Sequence, residues 1–190
     1  MTFSNRSSTA PAGRRSFIGA SAFTLSAGAV ALLGGATGLA QAATMDPAKD
    51  SGILNIALTL EHEAINAYQL GAGSGLLQKP VLDLAVTFQG HHKEHADLLA
   101  KTIQKLGGKP VSAKAKYAFP TETLKTQNDV LRFAATLEKG AVSAYLGAVP
   151  VFGNRDLAKA AASILGDEAM HWAILRNALG EAPVPSAFVA

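Results

Sequence analysis

Apolar residues return at three- and four-residue steps along four long stretches of the chain, the period of a helix with one buried face. The first stretch sets Ile53, Leu54, Ala57, Leu58, Ala64, Ile65 and Tyr68 on one side and fades near the glycines at 71, 73 and 75. Asp50 or Ser51 stands where its N-cap is needed, which predicts a helix from there. The second begins around Pro80, a residue suited to the first helical position. It carries Leu82, Ala85, Val86, Phe88, Leu98, Leu99, Ile103 and Leu106 to a stop at Gly107-Gly108. A third helix is predicted from about Asn128 to Ala148, before Pro150. A fourth runs from behind the cap Asn154 to Leu179, before Gly180. Past residue 42 nothing alternates polar and apolar as a strand would, so the pattern predicts an all-α domain of four long helices.

The links between these helices narrow the topology. Links one-to-two and three-to-four are short, which makes each pair an antiparallel hairpin. The stretch between helices two and three, "GKPVSAKAKYAFPTETLK", has no apolar rhythm and holds two prolines. A helix of about 27 residues is roughly 40 Å long. About fifteen extended residues reach about 50 Å, so this link can cross the whole bundle. The expected fold is two hairpins joined by one long crossover.

The hairpins read as copies. "LEHEAINAY" (Leu60 to Tyr68) returns as "LEKGAVSAY" (Leu137 to Tyr145) at an offset of 77, and "GHHKEHADLL" (Gly90 to Leu99) faces "GDEAMHWAIL" (Gly166 to Leu175) at an offset of 76. Two echoes at nearly one offset mark a duplicated unit. The duplication sets Glu61 and Glu138 at matching points of helices one and three, and His95 and His171 at matching points of helices two and four. Glu168 lies three residues before His171, so the two share a helix face. Burying bare glutamates in a bundle core is costly, and a metal cation offsets that cost. All five histidines (His62, His91, His92, His95, His171) fall in the segments that would meet there. His62 and Glu63 follow Glu61 on other faces and read as solvent-facing, and His91 reads as a surface residue. Tyr68 and Tyr145, two turns beyond their glutamates, read as core packing in preference to carboxylate partners. Trp172 reads as core or interface.

Through L-E-x-x-A-x-x-A-Y, H-x-x-H-A-D-L-L and E-x-x-H the chain resembles the ferritin-like superfamily over about residues 50–180. More narrowly, it is similar to the exported ferritin-like domain proteins of bacteria. In di-iron carboxylate bundles, two helices each give a lone Glu and the other two each give Glu-x-x-His. The resemblance therefore implies a ferritin-like four-helix bundle with metal ligands Glu61, His92, His95, Glu138, Glu168 and His171. His92 departs from the pattern, because the second helix usually supplies a Glu that bridges the two metals. Glu94 lies about 200° around the helix from it and does not replace it. Iron is the implied metal, as two ions in the usual arrangement. Three carboxylates and three imidazoles also leave open a single ion, manganese or zinc. The implied activity is oxidation of ferrous iron with oxygen or peroxide. Two alternatives stand beside it: metal binding or storage without turnover, and a non-catalytic structural or stress-related bundle that has lost its metal.

Composition changes the picture mainly at the N-terminus. Arg14-Arg15, an apolar stretch from Phe17 to about Leu39, and Ala40-Gln41-Ala42 resemble a twin-arginine export signal with its cleavage box. The expectation is a signal peptide over residues 1–42 and a mature domain over 43–190, exported to the periplasm or beyond by the twin-arginine translocase. An uncleaved membrane anchor is the alternative. The signal holds three of the 17 basic residues and none of the 14 acidic ones, so the domain has 14 of each. A neutral domain carries no electrostatic footprint for nucleic acid or an anionic membrane. The absence of cysteine excludes disulfides and thiolate metal sites. Duplication within one chain completes the site without a partner and leaves an oligomer open.

Overall fold

Asp46, four residues ahead of the expected cap, starts the first helix: its carboxylate accepts from the Ala48 and Lys49 amides at 3.0 and 3.1 Å, and Pro47 takes the first helical position. The computed structural model describes residues 46–189, and the export signal read over residues 1–42 lies outside them. Four helices follow: α1 (Pro47–Gly73), α2 (Lys79–Lys105), α3 (Gln127–Ala148) and α4 (Arg155–Ala178). Single 3-10 turns occur at Thr121–Thr123 and Val149–Val151, and no strand occurs among the described residues. Thr126 and Asp129 form a reciprocal capping box at the start of α3, and Asn154 caps α4 as expected.

Asp50 is not a cap. It lies fully buried one turn into α1, and its two oxygens accept from the Gly153 and Asn154 amides at 2.9 and 3.0 Å. The carboxylate therefore ties the α3–α4 link to the first turn of α1. Cap grammar looks only at near neighbours, and these partners are more than a hundred residues away.

α1 and α2 pack as an antiparallel hairpin, with Gln89 Nε2 donating to the Ile65 carbonyl at 3.0 Å and His92 meeting Glu61. α3 and α4 form the second hairpin. α1 also runs antiparallel to α3, since Tyr68 meets Glu138 while Tyr145 meets Glu61. That arrangement leaves the end of α2 and the start of α3 at opposite ends of the bundle, so the link must travel its length. It does so beside α1. Asn55 grips it from both sides, donating to the Lys109 carbonyl at 3.1 Å and accepting from the Val111 amide at 2.7 Å. At the far end the Gln78 amide donates to Gln127 at 2.8 Å. The turn out of α2 needs its glycines: Gly107 has φ +81°, and a Cβ on Gly108 would lie 2.1 Å from Ser51 Oγ.

The core is divided. One apolar cluster gathers Leu54, Leu58, Leu99, Ile103, Phe152 and Ile164, and the other Tyr68, Phe88, Leu131 and Leu175. A polar layer lies between them. Among the described residues no helix is long and apolar enough to cross a membrane.

Candidate metal centre

The buried stripe of α4 runs Ala161, Ile164, Glu168, His171, Leu175, in helical steps of three and four. α2 gives Phe88, His92, Ala96 and Leu99 in the same way, α1 gives Leu58, Glu61 and Tyr68, and α3 gives Ala135, Glu138, Val142 and Tyr145. Ordinary amphipathic periodicity thus carries charged groups into the middle of the core. Glu61, His92, Glu138, Glu168 and His171 are all essentially inaccessible to solvent, and His95 is mostly buried. All six residues expected at the site converge there, in two overlapping groups.

Glu168 links the groups. Its Oε1 lies 3.1 Å from His95 Nδ1 on the Glu61 side, and its Oε2 lies 3.2 Å from His171 Nδ1 on the Glu138 side. His92 spans the same two lobes, with Nδ1 2.8 Å from Glu61 Oε2 and Nε2 3.3 Å from Glu138 Oε1. His92 and Glu168 are the counterparts of one another in the two hairpins, at the 76-residue offset. The position where the superfamily places a bridging carboxylate therefore holds a ring that also reaches both sides.

Burial alone would pull the three histidines down, but the glutamates prevail, through hydrogen bonds at His92 and His171 and through close charge at His95. His92 is pushed up to about 10, chiefly by Glu138 and Glu61. His95 reaches about 9 beside Glu168 and Glu61, and His171 about 9 beside Glu138 and Glu168. Burial likewise works to raise the carboxyls, yet His171 and His92 hold Glu138 down at about 2, and His92 and His95 keep Glu61 below its ordinary value. In the metal-free protein, protons on the imidazoles balance the carboxylates.

That balance leaves gaps that a cation fits. His95 Nδ1, Glu168 Oε1 and Glu138 Oε2 are buried without a hydrogen-bond partner. His95 Nδ1 and Glu168 Oε1 approach to 3.1 Å yet are not aligned as donor and acceptor. Buried polar atoms almost always find partners, and a cation among donor atoms gathered within 4.8 Å of one another would supply the missing ones. Both lobes contain such an atom. Three carboxylates and three imidazoles, all oxygen and nitrogen donors, suit iron, manganese or zinc.

Two surrounding residues depart from the sequence expectations, and two more, His91 and Asp167, lie against the site. Tyr145 donates its hydroxyl to Glu61 Oε1 at 2.5 Å, and Tyr68 donates to Glu138, so both tyrosines serve carboxylates as well as the core. Burial and the adjacent carboxylates push both phenols far above their ordinary value. The seven-residue spacing within each helix pointed to these tyrosines but not to their crossed pairing with the glutamate of the other hairpin. His91 is half-exposed but has partners, lying 3.1 Å from Asp167 and 2.9 Å from His171 Nε2. Asp167, not singled out from the sequence, also lies 3.4 Å from His95 Nε2 and 3.3 Å from His171 Nε2. Its place directly before Glu168 and four residues from His171 was the available clue. His62 does not join the site: its Nε2 lies 3.2 Å from the Val111 carbonyl of the crossover. Glu63 is half-buried, Glu94 is exposed, and Trp172 packs against the second apolar cluster beneath Arg176.

Residues 49–181 match the family described as Ferritin-like domain, and the chain belongs to that family. Its fold is the ferritin-like four-helix bundle. A conserved hypothetical protein from Mycobacterium tuberculosis, rv2844, is similar in structure, with a TM-score of 0.65 and 23% identity over 75% of this chain and 99% of that one. A structure described as ferritin like, diiron-carboxylate proteins, from Bacillus anthracis str. Ames, aligns with a TM-score of 0.60 and 21% identity over 70% of this chain and 96% of that one. A comparison with curated proteins gives no match.

Proposed function

We propose that this chain is a metal-binding ferritin-like protein whose buried centre holds two ions, iron first among the candidates, with manganese or zinc as alternatives. Glu61, His95 and Glu168 Oε1 would hold one ion, and Glu138, His171 and Glu168 Oε2 the other, with His92 between them. The supporting observation is the unpartnered polar atom in each lobe, with one Glu168 oxygen turned to each. The diiron-carboxylate description of the Bacillus anthracis structure points the same way. Iron held there would supply one-electron chemistry toward oxygen or peroxide. The residues of this chain supply the rest: carboxylates that favour the ferric state, imidazoles that give up their protons as metal arrives, and apolar clusters on either side that keep bulk water out.

A specific observation favours a second reading. The His92 ring lies between Glu61 and Glu138 with a nitrogen toward each, so a protonated His92 is itself a cation in the middle of the site. On that reading the bundle is structural and holds no metal. Elemental analysis of the purified protein after reconstitution with ferrous iron, manganese or zinc separates the two. About two ions per chain supports the metal-binding reading, and none under any condition overturns it. Oxygen consumption with ferrous iron then separates an oxidase from a binding or storage protein.

We also propose export in the folded state to the periplasm, which rests on Arg14-Arg15 and the Ala40-Gln41-Ala42 box. Arg14→Lys together with Arg15→Lys should trap the precursor in the cytoplasm. Unchanged export without a twin-arginine translocase would contradict it.

A further inference from the structure

His171 has two faces. Its Nδ1 points inward, 3.2 Å from Glu168 Oε2 and 3.4 Å from Glu138 Oε1. Its Nε2 points outward, to a second group formed with His91 and Asp167. In that group His91 Nδ1 lies 2.9 Å from His171 Nε2 and 3.1 Å from Asp167 Oδ2, which lies 3.3 Å from His171 Nε2. Donors held about 2.1 Å from one divalent ion, at ordinary coordination angles, are roughly 3.0–3.4 Å apart. The triangle has that size before any ion is placed in it.

Hydrogen bonding does not account for the triangle as well. A single ring nitrogen either donates or accepts, so His91 Nδ1 can donate to Asp167 or accept from His171, but not both. With Asp167 accepting and each ring nitrogen either a donor or an acceptor, at least one of the three short approaches in the triangle is always mismatched, and a cation at the centre satisfies all three atoms at once. The side chains also grade from solvent to core, at 41% exposed for His91, 22% for Asp167 and 2% for His171. An open cleft lined by His95, Ala160, Asp167 and Met170 brings solvent to Asp167.

We propose that His91, Asp167 and the outer nitrogen of His171 form a loading site for a divalent cation, from which the ion passes to the buried centre through His171. A neutral imidazole has one lone pair. It serves the outer ion through Nε2 or the inner ion through Nδ1, and the ring proton occupies whichever nitrogen is free. Outward occupancy therefore excludes inward coordination by the same ring, which makes the outer site a waypoint and not a third store. At saturation the stoichiometry is that of the inner centre alone. Once His171 has turned its lone pair inward, its Nε2–H can donate a hydrogen bond to Asp167, which also faces His95 Nε2. Asp167 then fixes the tautomer of both ligating rings.

This inference rests on the metal-binding reading, and cobalt(II) tests the two separately, by its visible absorption in stopped-flow mixing and by ions bound per chain at equilibrium. In the full chain, His91→Ala should leave the final cobalt content unchanged and slow loading by about tenfold or more. His91 is half-exposed, so its removal leaves the core intact. In the double variant Glu61→Gln, Glu138→Gln, which impairs the inner centre, one weakly held cobalt should remain and should vanish when His91→Ala is added. Circular dichroism checks that this variant folds, and the single His91→Ala variant decides the matter if it does not. Unchanged loading by His91→Ala overturns the loading site while leaving the inner centre standing. A parent chain that binds no cobalt at all overturns both.

Discussion

The Tyr145 hydroxyl lies 2.5 Å from Glu61 Oε1, so a side chain of the second hairpin fixes the lone glutamate of the first. Tyr68 returns the contact to Glu138. Tyr145→Phe keeps the ring and its packing but strips a buried carboxylate of its donor. The expected loss is about 1–3 kcal/mol in the metal-free protein, read by urea unfolding with and without metal. A bound cation should shrink the loss, because it satisfies the carboxylate instead. An equal loss in both states would mean that the hydroxyl supports only the fold.

Asp50 gives a prediction independent of metal. Asp50→Ala leaves the Gly153 and Asn154 amides without their acceptor and should cost about 2–4 kcal/mol. Asp50→Asn, which keeps one accepting oxygen, should cost less. Thermal unfolding of both variants checks the order, and a harmless Asp50→Ala would show that the α3–α4 link holds its place without the clamp.

His92 makes the two lobes unequal. A neutral imidazole lends its lone pair to one ion only, whereas Glu168 offers an oxygen to each. Two ions should therefore bind stepwise with distinct affinities in calorimetric titration. His92→Glu should bring the steps together and raise iron occupancy. Titration curves that coincide for parent and variant would mean that the ring at position 92 does not coordinate.

The metal-free protein should be most stable in mildly acidic solution. The three histidines have folded values of about 10, 9 and 9, above their ordinary 6.5. Their contribution is complete below about 6.5 and is lost as pH rises through 9 to 10. Glu138, held at about 2, contributes above its ordinary 4.5 and loses that contribution as pH falls toward 2. Melting temperature of chelated protein should thus decline from about pH 6.5 upward. With metal present the trend reverses over the same range, since binding displaces the imidazole protons. A flat profile in chelator would contradict the ion pairing seen in the core.

Most of this site was legible because helical periodicity and duplication act at known spacings. Glu61, Glu138, His95 and His171 declare themselves as matched pairs, and Glu168 follows from its distance to His171. Asp50 did not declare itself. An acid near a helix start looks like a cap, and only the folded chain shows amides from α4's entrance above it. The tyrosines hid for a related reason: their glutamate partners belong to the opposite hairpin, so no local pattern joins them. His91 looks like a surface residue, and Asp167 draws no notice, until α2 and α4 are side by side. The sequence speaks plainly within a helix and faintly between helices, where a contact depends on how two faces are turned.

The crossed tyrosines also bear on history. Each hairpin holds a glutamate whose hydroxyl donor lies on the other, so a lone hairpin would need a second molecule to complete the pair. In such a dimer of identical chains every substitution occurs twice, and a bridging position is Glu in both halves or in neither. Joining the halves through the long crossover removes that constraint. Position 92 can become histidine while position 168 stays glutamate, and position 91 can become histidine while its counterpart, position 167, is aspartate. The fused chain is free to give the two halves of its centre different tasks.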